Sequence, residues 1–154
     1  MGIASHLGSW LLGTVKNTTG TTAGTVRNMG ATTVAQTTPL TATQVAALTG
    51  SLGAIPAGAL IVGVAFYTST LFASATTLKV TIAGVDVAAA TTITAAGVFS
   101  VTLASTFASV AANVGSTDAL VTYTATGTSA TGAVTVFIEY VVRSADGTFN
   151  STSS

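Results

Sequence analysis

Residues 133–143 read AVTVFIEYVVR. Val134, Val136, Ile138, Tyr140 and Val142 fall on alternate positions, with Thr135, Phe137, Glu139 and Arg143 between them. A period of two in β-branched and aromatic residues is the pattern of a strand with one buried face. Four runs upstream repeat it. In LIVGVAFYTST (60–70) one face carries Leu60, Val62, Val64 and Phe66. LKVTI (78–82) sets Leu78, Val80 and Ile82 against Lys79 and Thr81, and VFSVTL (98–103) aligns Phe99, Val101 and Leu103. ALVTYTA (119–125) alternates Val121, Tyr123 and Ala125 with threonines. Turn residues separate the runs, at Ala57-Gly58, Gly84, Ala96-Gly97, Gly115-Ser116, Gly127 to Gly132 and Asp146-Gly147. Short strands at this spacing predict an all-β fold, an antiparallel β-sandwich or jelly roll. The reading places that domain at residues 46–154 and an extended N-terminal arm at 1–45.

Two segments depart from the period of two. TATQVAALTG (41–50) offers a threonine cap and Gly50 as a stop, the marks of a short helix. STFASVAANVG (105–115) puts Phe107, Val110, Ala111 and Val114 at helical spacing, but its setting among strands favours strand or loop.

Composition narrows what such a domain does. Of 154 residues only 5% are charged, four basic and four acidic, and 49% are hydrophobic. An ordinary globular protein carries about 25% charge. A surface so poor in charge lacks the usual protection against association, so it reads as one largely covered by other chains. The most apolar window, LGAIPAGALIVGVAFY (52–67), is broken by Pro56 and glycines and falls short of the ~18–20 residues a spanning helix needs. The start, MGIASHLGSWLLG, has neither a basic leader nor a sustained apolar core, so a soluble chain without a signal peptide is expected. With no cysteine, disulfides, iron–sulfur clusters and thiolate zinc sites are excluded.

The first 40 or so residues have a different texture. Large apolar residues are sparse after Leu12, and Gly13-Thr14-Val15-Lys16-Asn17 returns as Gly24-Thr25-Val26-Arg27-Asn28. The duplicated phrase reads as two short strands joined by a loop of small residues, and a lone two-stranded hairpin is marginal in water without a surface to lie on. Lys16 and Arg27 are the only formal charges before residue 50. The arm is thus +2. The remainder, with Lys79 and Arg143 against Asp86, Asp118, Glu139 and Asp146, is −2. Two readings fit the basic pair: each solvates its own strand, or both anchor the arm to acidic groups on a neighbouring subunit. Trp10, Leu11 and Leu12 form a concentrated apolar patch, suited to a partner surface or to the chain's own sandwich.

Catalytic chemistry finds few footholds. His6 is the one histidine and has no acidic residue or cysteine near it in sequence. Asp86 and Asp146 sit in turn-like phrases where aspartate commonly bonds its own backbone. Glu139 faces away from the valines of its strand, with Arg143 or Lys79 as candidate partners. A calcium loop would need denser oxygen ligands, and a glycosidase would need two carboxylates held ~5–10 Å apart. No GxSxG, P-loop or GxGxxG phrase occurs. Four basic residues at zero net charge also leave nothing to neutralise a run of phosphates, so nucleic acid is not an expected partner. Neither a cofactor nor a metal is expected.

Four phrases together, GSWLLGTVKNTTGTTAGTVRN, IPAGALIVGV, TIAGVDV…TAAGVFSVTL and TGAVTVFIEYV, resemble small β-sandwich structural proteins of tailed bacteriophages. The likeness is to capsid decoration (cement) proteins and related head-fibre or minor virion proteins, and it carries no catalytic residues. It implies a chain made in the host cytoplasm that binds the outside of an assembled shell of major capsid protein. It also implies self-association as a trimer or dimer and an arm that bridges neighbouring capsomers. Trp10, Leu11, Leu12, Val15, Lys16, Val26 and Arg27 are the expected contacts, with GTVKN and GTVRN adding short strands to a shell surface. The alternative is a glycan-binding or adhesive module of a head fibre or tail appendage, for which Phe72 and Phe149, near apparent loops, are the candidate platforms.

Overall fold

Strand β9 (Ala133–Val141), the run that opened the reading, is flanked on both sides by antiparallel neighbours. A computed structural model describes residues 33–142 of the chain, all within a compact unit that spans Thr32–Thr148. Besides β9, the first sheet contains β1 (Thr33–Thr41), β3 (Leu60–Thr70) and β7 (Gly97–Ser100), in the order β1-β9-β3-β7. The second contains β2 (Thr49–Ile55), β8 (Ala119–Thr126), β4 (Thr77–Ile82) and β5 (Val85–Asp86), in the order β2-β8-β4-β5, with the short β6 (Thr91–Thr92) also on β4. The two sheets pack face to face as an all-β sandwich.

The pairing is nested. β1 pairs with β9, β2 with β8, β3 with β7, and β4 with β5 and β6, all antiparallel. The chain is therefore one long folded-back ribbon, rolled so that successive pairs alternate between sheets, which is the jelly-roll arrangement. Its innermost hairpin closes through Ala83 (φ 52°) and Gly84 (φ 78°), two consecutive positive-φ residues joining Ile82 to Val85. A two-residue turn of that hand matches the twist of the strands it joins.

The core fills from the alternating faces. Val134, Val136, Ile138 and Tyr140 point inward from β9, opposite Thr68, Phe66, Val64 and Ile61 of β3. They meet Leu78, Val80, Ile82, Val121, Tyr123 and Ala125 of the second sheet, all buried. Buried Thr68 keeps its hydroxyl satisfied by donating to the Ile93 carbonyl at 3.4 Å, as an interior polar group requires.

Three details differ from the sequence reading. Residues 33–45, assigned to the arm, form β1 and most of helix α1 (Ala42–Ala46), so the sandwich takes in residues from Thr33 rather than beginning at 46. The alternation in β1 is disguised because its inward side mixes Val34 and Leu40 with Gln36 and Thr38, and Pro39 is tolerated because β1 is an edge strand. In β3, Val62 is exposed while Ile61 is buried. Ile61 lies opposite Tyr140 and Gly63 opposite Glu139, so Val62 is the extra residue of a β-bulge, and the bulge shifts the face on which its neighbours lie. Residues 105–112 are helical after all, a 3₁₀ turn at Ser105–Phe107 followed by α2 (Ala108–Ala112). The helical spacing prevailed because Phe107 anchors the turn fully in the core.

Helix α1 starts as its sequence suggests. Thr41 accepts from the Gln44 amide, and the Gln44 side chain accepts from the Thr41 amide, a complete capping box. It ends earlier than Gly50, where Leu48 turns left-handed at φ 68°. Gly50 instead lies in β2, opposite Tyr123.

The open side of the sandwich, between edge strands β1 and β2, is closed by polar contacts. A bulge between Ser51 and Gly53 takes Leu52 out of the ladder with β8. The Leu52 carbonyl then accepts from Gln36 Nε2 at 3.0 Å and Thr38 Oγ1 at 3.1 Å. Gly53, at φ 126°, lies so close that a β-carbon there would come within 2.5 Å of Gln36 Nε2.

Candidate interaction surfaces

The contact residues expected from sequence, Trp10, Leu11, Leu12, Val15, Lys16, Val26 and Arg27, lie outside the described residues, as do His6, Arg143, Asp146 and Phe149. Phe72, the other candidate glycan platform, is corrected by its position. It is 4% exposed, and a β-carbon on Gly132 would approach its ring to 2.3 Å. A ring seated that deeply packs the core and cannot stack on a sugar. Lys79 is also reassigned: it pairs with Asp86 at 2.8 Å rather than with Glu139.

That ion pair shows what the second sheet presents to solvent. Asp86 is not bonded to its own turn. It accepts from Lys79 Nζ and from Thr81 Oγ1, each at 2.8 Å, across the β4–β5 hairpin. The hydrogen bond from Lys79, then that from Thr81, hold its carboxyl below the usual carboxylate range. Register aligns Thr49 and Thr124 with Lys79, and Ser51 and Thr122 with Thr81 and Asp86, on one outward face. Thr77 and Thr126 extend it, their hydroxyls hydrogen-bonded at 2.5 Å. This face is largely hydroxylated and carries a charge of each sign, with Leu120 exposed beside them.

The outward face of the first sheet has another chemistry. Across the strands, one row runs Ala35, Glu139, Gly63 and the next Thr37, Phe137, Ala65, Ser100. A third runs Pro39, Thr135, Tyr67, Val98. Tyr67 is 42% exposed and Val98 69%. Glu139 is the only formal charge in these rows, and its carboxylate lies over Gly63, 4.0 Å from where a β-carbon would sit. Among the described residues the one salt bridge is Lys79–Asp86, so this carboxylate makes none there.

Apart from Glu139, the residues of this outer face were not singled out from sequence, though a signal was present. Ile61-Val62, Phe66-Tyr67 and Val98-Phe99 each set two large apolar residues side by side in a strand. Successive side chains alternate faces, so wherever one of such a pair enters the core the other is turned outward.

Among the described residues no three of His, Cys, Asp and Glu come together as a metal-binding group, and no helix is long and apolar enough to cross a membrane. Asp118 serves the backbone, accepting from the Ala57 amide at 3.0 Å across the Pro56–Ala57 turn. Of the two outer faces described, one is rich in threonine and carries Lys79 and Asp86, and the other exposes Tyr67 and Val98 beside Thr37, Thr135, Ser100 and Glu139. No family model, curated protein or solved structure matches the chain.

Proposed function

We propose that this chain is a non-enzymatic virion structural protein that binds the outside of a capsid shell and stabilises it. The observation that carries the reading is how the chain divides. The jelly roll takes in residues from Thr33, on edge strand β1, and the 32 residues before it hold both copies of the GTV(K/R)N phrase and the cluster Trp10-Leu11-Leu12. A closed sandwich preceded by a sparse basic segment suits a clamp. The segment, through Trp10, Leu11, Leu12, Val15, Lys16, Val26 and Arg27, engages the major capsid protein, and the sandwich stands on the particle surface. The low charge of the chain and the resemblance to phage decoration proteins point the same way.

The mechanism is mass action. A protein that binds the assembled lattice and not its separated subunits stabilises the lattice by the free energy of that binding. Many copies on one shell add up without any single contact being tight. Strand addition by GTVKN and GTVRN supplies backbone hydrogen bonds, while the basic residue that follows selects an acidic neighbour. Co-sedimentation of the purified chain with shells of its virus assembled without it tests the reading. Saturable binding in a fixed ratio to the major capsid protein is expected. Protein left in the supernatant at every shell concentration overturns it.

A further inference from the structure

Strand β1 is held unevenly along its length. It lies at the edge of its sheet, with β9 as its ladder partner. Of its nine residues only Leu40 is fully buried. Val34, Gln36 and Thr38, on the same side, are half-buried, and the others are exposed. Beyond Leu40 the hold is firm. Thr41 and Gln44 close the capping box, the Ala42 amide donates to the Gly132 carbonyl at 2.9 Å, and Val45 is buried. Pro39 marks the boundary and, lacking an N–H, adds no donor there. We propose that Thr33–Pro39 is a detachable strap, which leaves β9 as a unit and swings on Leu40 while the rest of the sandwich stays folded.

The detached state strands no polar group in the interior. Gln36 and Thr38 donate to one shared acceptor, the Leu52 carbonyl. When the strap leaves, all three groups meet water, which replaces the lost bonds. The largest apolar side chain released is Val34, already half-exposed to solvent. Strand β9 keeps its ladder with β3, and Val134, Val136 and Ile138 remain in the core beneath the second sheet. The other edge strand beside β1 has no such loose end. In β2, Gly50 lies against the Tyr123 ring near one end, and Ile55 is buried at the other.

The loose end of β1 is also the one that a pull loads. The 32 residues before Thr33 are attached to it, so tension on them reaches the Thr33–Val141 pair first. Once free, Thr33–Pro39 at ~3.3 Å per residue carries the root of that segment anywhere within about 23 Å of Leu40. The gain is in direction rather than length, because the strand is already extended. On the shell reading, the strap lets the segment meet partner surfaces at more than one angle. That use rests on the shell reading, whereas the strap itself rests on β1 alone.

Native-state hydrogen exchange on the full-length chain, without particles, tests the proposal. In a central antiparallel strand the N–H groups point alternately to the two neighbours, so β9 reports on both of its sides. One fast group is expected: the ladder-protected amides between Thr33 and Thr38, together with the β9 amides that face them. The β9 amides that face β3, and the Ala42 amide beyond the hinge, exchange at least about a hundredfold more slowly. Ala35→Cys with Glu139→Cys joins a directly opposed pair in a chain that has no other cysteine. Its disulfide slows the fast group by about the same factor, and reduction restores the fast rate. Exchange of the strap amides as slow as that of the β9–β3 group, Ala42 in the fast group, or equal rates in the oxidised and reduced variant overturns the strap. No shell enters these measurements, so a failure here is distinct from a failure of shell binding.

Discussion

The ring of Tyr123 lies directly on Gly50, so close that a β-carbon on the glycine would sit 2.6 Å from Tyr123 Cε1. From there the phenol hydroxyl donates to the Gln44 carbonyl at 2.6 Å. One side chain thereby ties β8 across β2 to helix α1, and a residue that sequence reading offered as a helix stop is instead the floor beneath a buried ring. Gly50→Ala is expected to destabilise the fold by about 1–3 kcal/mol through overpacking. Tyr123→Phe keeps the ring and loses about 1 kcal/mol with the hydrogen bond. Urea unfolding of the two variants checks both values and their order.

Gly132 presents the sharper case. It combines φ 140° with the Phe72 ring 2.3 Å from any added β-carbon, so Gly132→Ala meets backbone strain and a clash together. A loss of about 3 kcal/mol or more is expected, the sum of a strained backbone and an overpacked site. Thermal unfolding reads it directly, and a variant as stable as the wild type would show that Phe72 is not seated there.

The closure between β1 and β2 predicts a smaller effect. Gln36→Ala leaves the Leu52 carbonyl with Thr38 as its remaining side-chain donor, at a cost of about 1 kcal/mol. Hydrogen exchange should quicken first along β1, because an edge strand opens locally before the sheet does. Uniform quickening across both sheets would contradict this.

Acid should act on the β4–β5 hairpin through Asp86. Its carboxyl titrates lower in the folded chain than its ordinary value of 3.8. The pair with Lys79 thus contributes stability that is fully present above that value and is lost as pH falls through the lower, folded one. Both partners are partly exposed, so the contribution is small and screened by salt. Asp86→Asn should flatten the pH dependence of unfolding below about pH 4, and equal acid sensitivity in variant and wild type would contradict the assignment.

Much of the sandwich was legible because its strands obey the period of two. Val134 to Tyr140, Leu78 to Ile82 and Val121 to Ala125 are buried as their alternation predicts. The departures have local causes. A bulge cannot be seen in a run such as LIVGV, where both faces are apolar, so Val62 was placed inside. Strand β1 buries Gln36 and Thr38 partway beside Val34 and Leu40, because its neighbour's freed carbonyl gives them a partner, and such compensation has no sequence signature. The nested jelly-roll order was allowed for but not distinguished from other sandwiches, since pairing depends on contacts far apart in the chain. The proposed shell contacts were named from the duplicated phrase and the resemblance, and they lie outside the described residues.

The central claim, that residues 1–30 clamp the chain to a capsid shell, is tested most directly by comparing full-length protein with a version lacking those residues. Both contain all of β1 to β9, so they differ only in the proposed clamp. The account predicts that full-length protein alone binds shells assembled without it and raises the temperature at which they open. Equal binding by the two versions, or binding with no gain in shell stability, would contradict it.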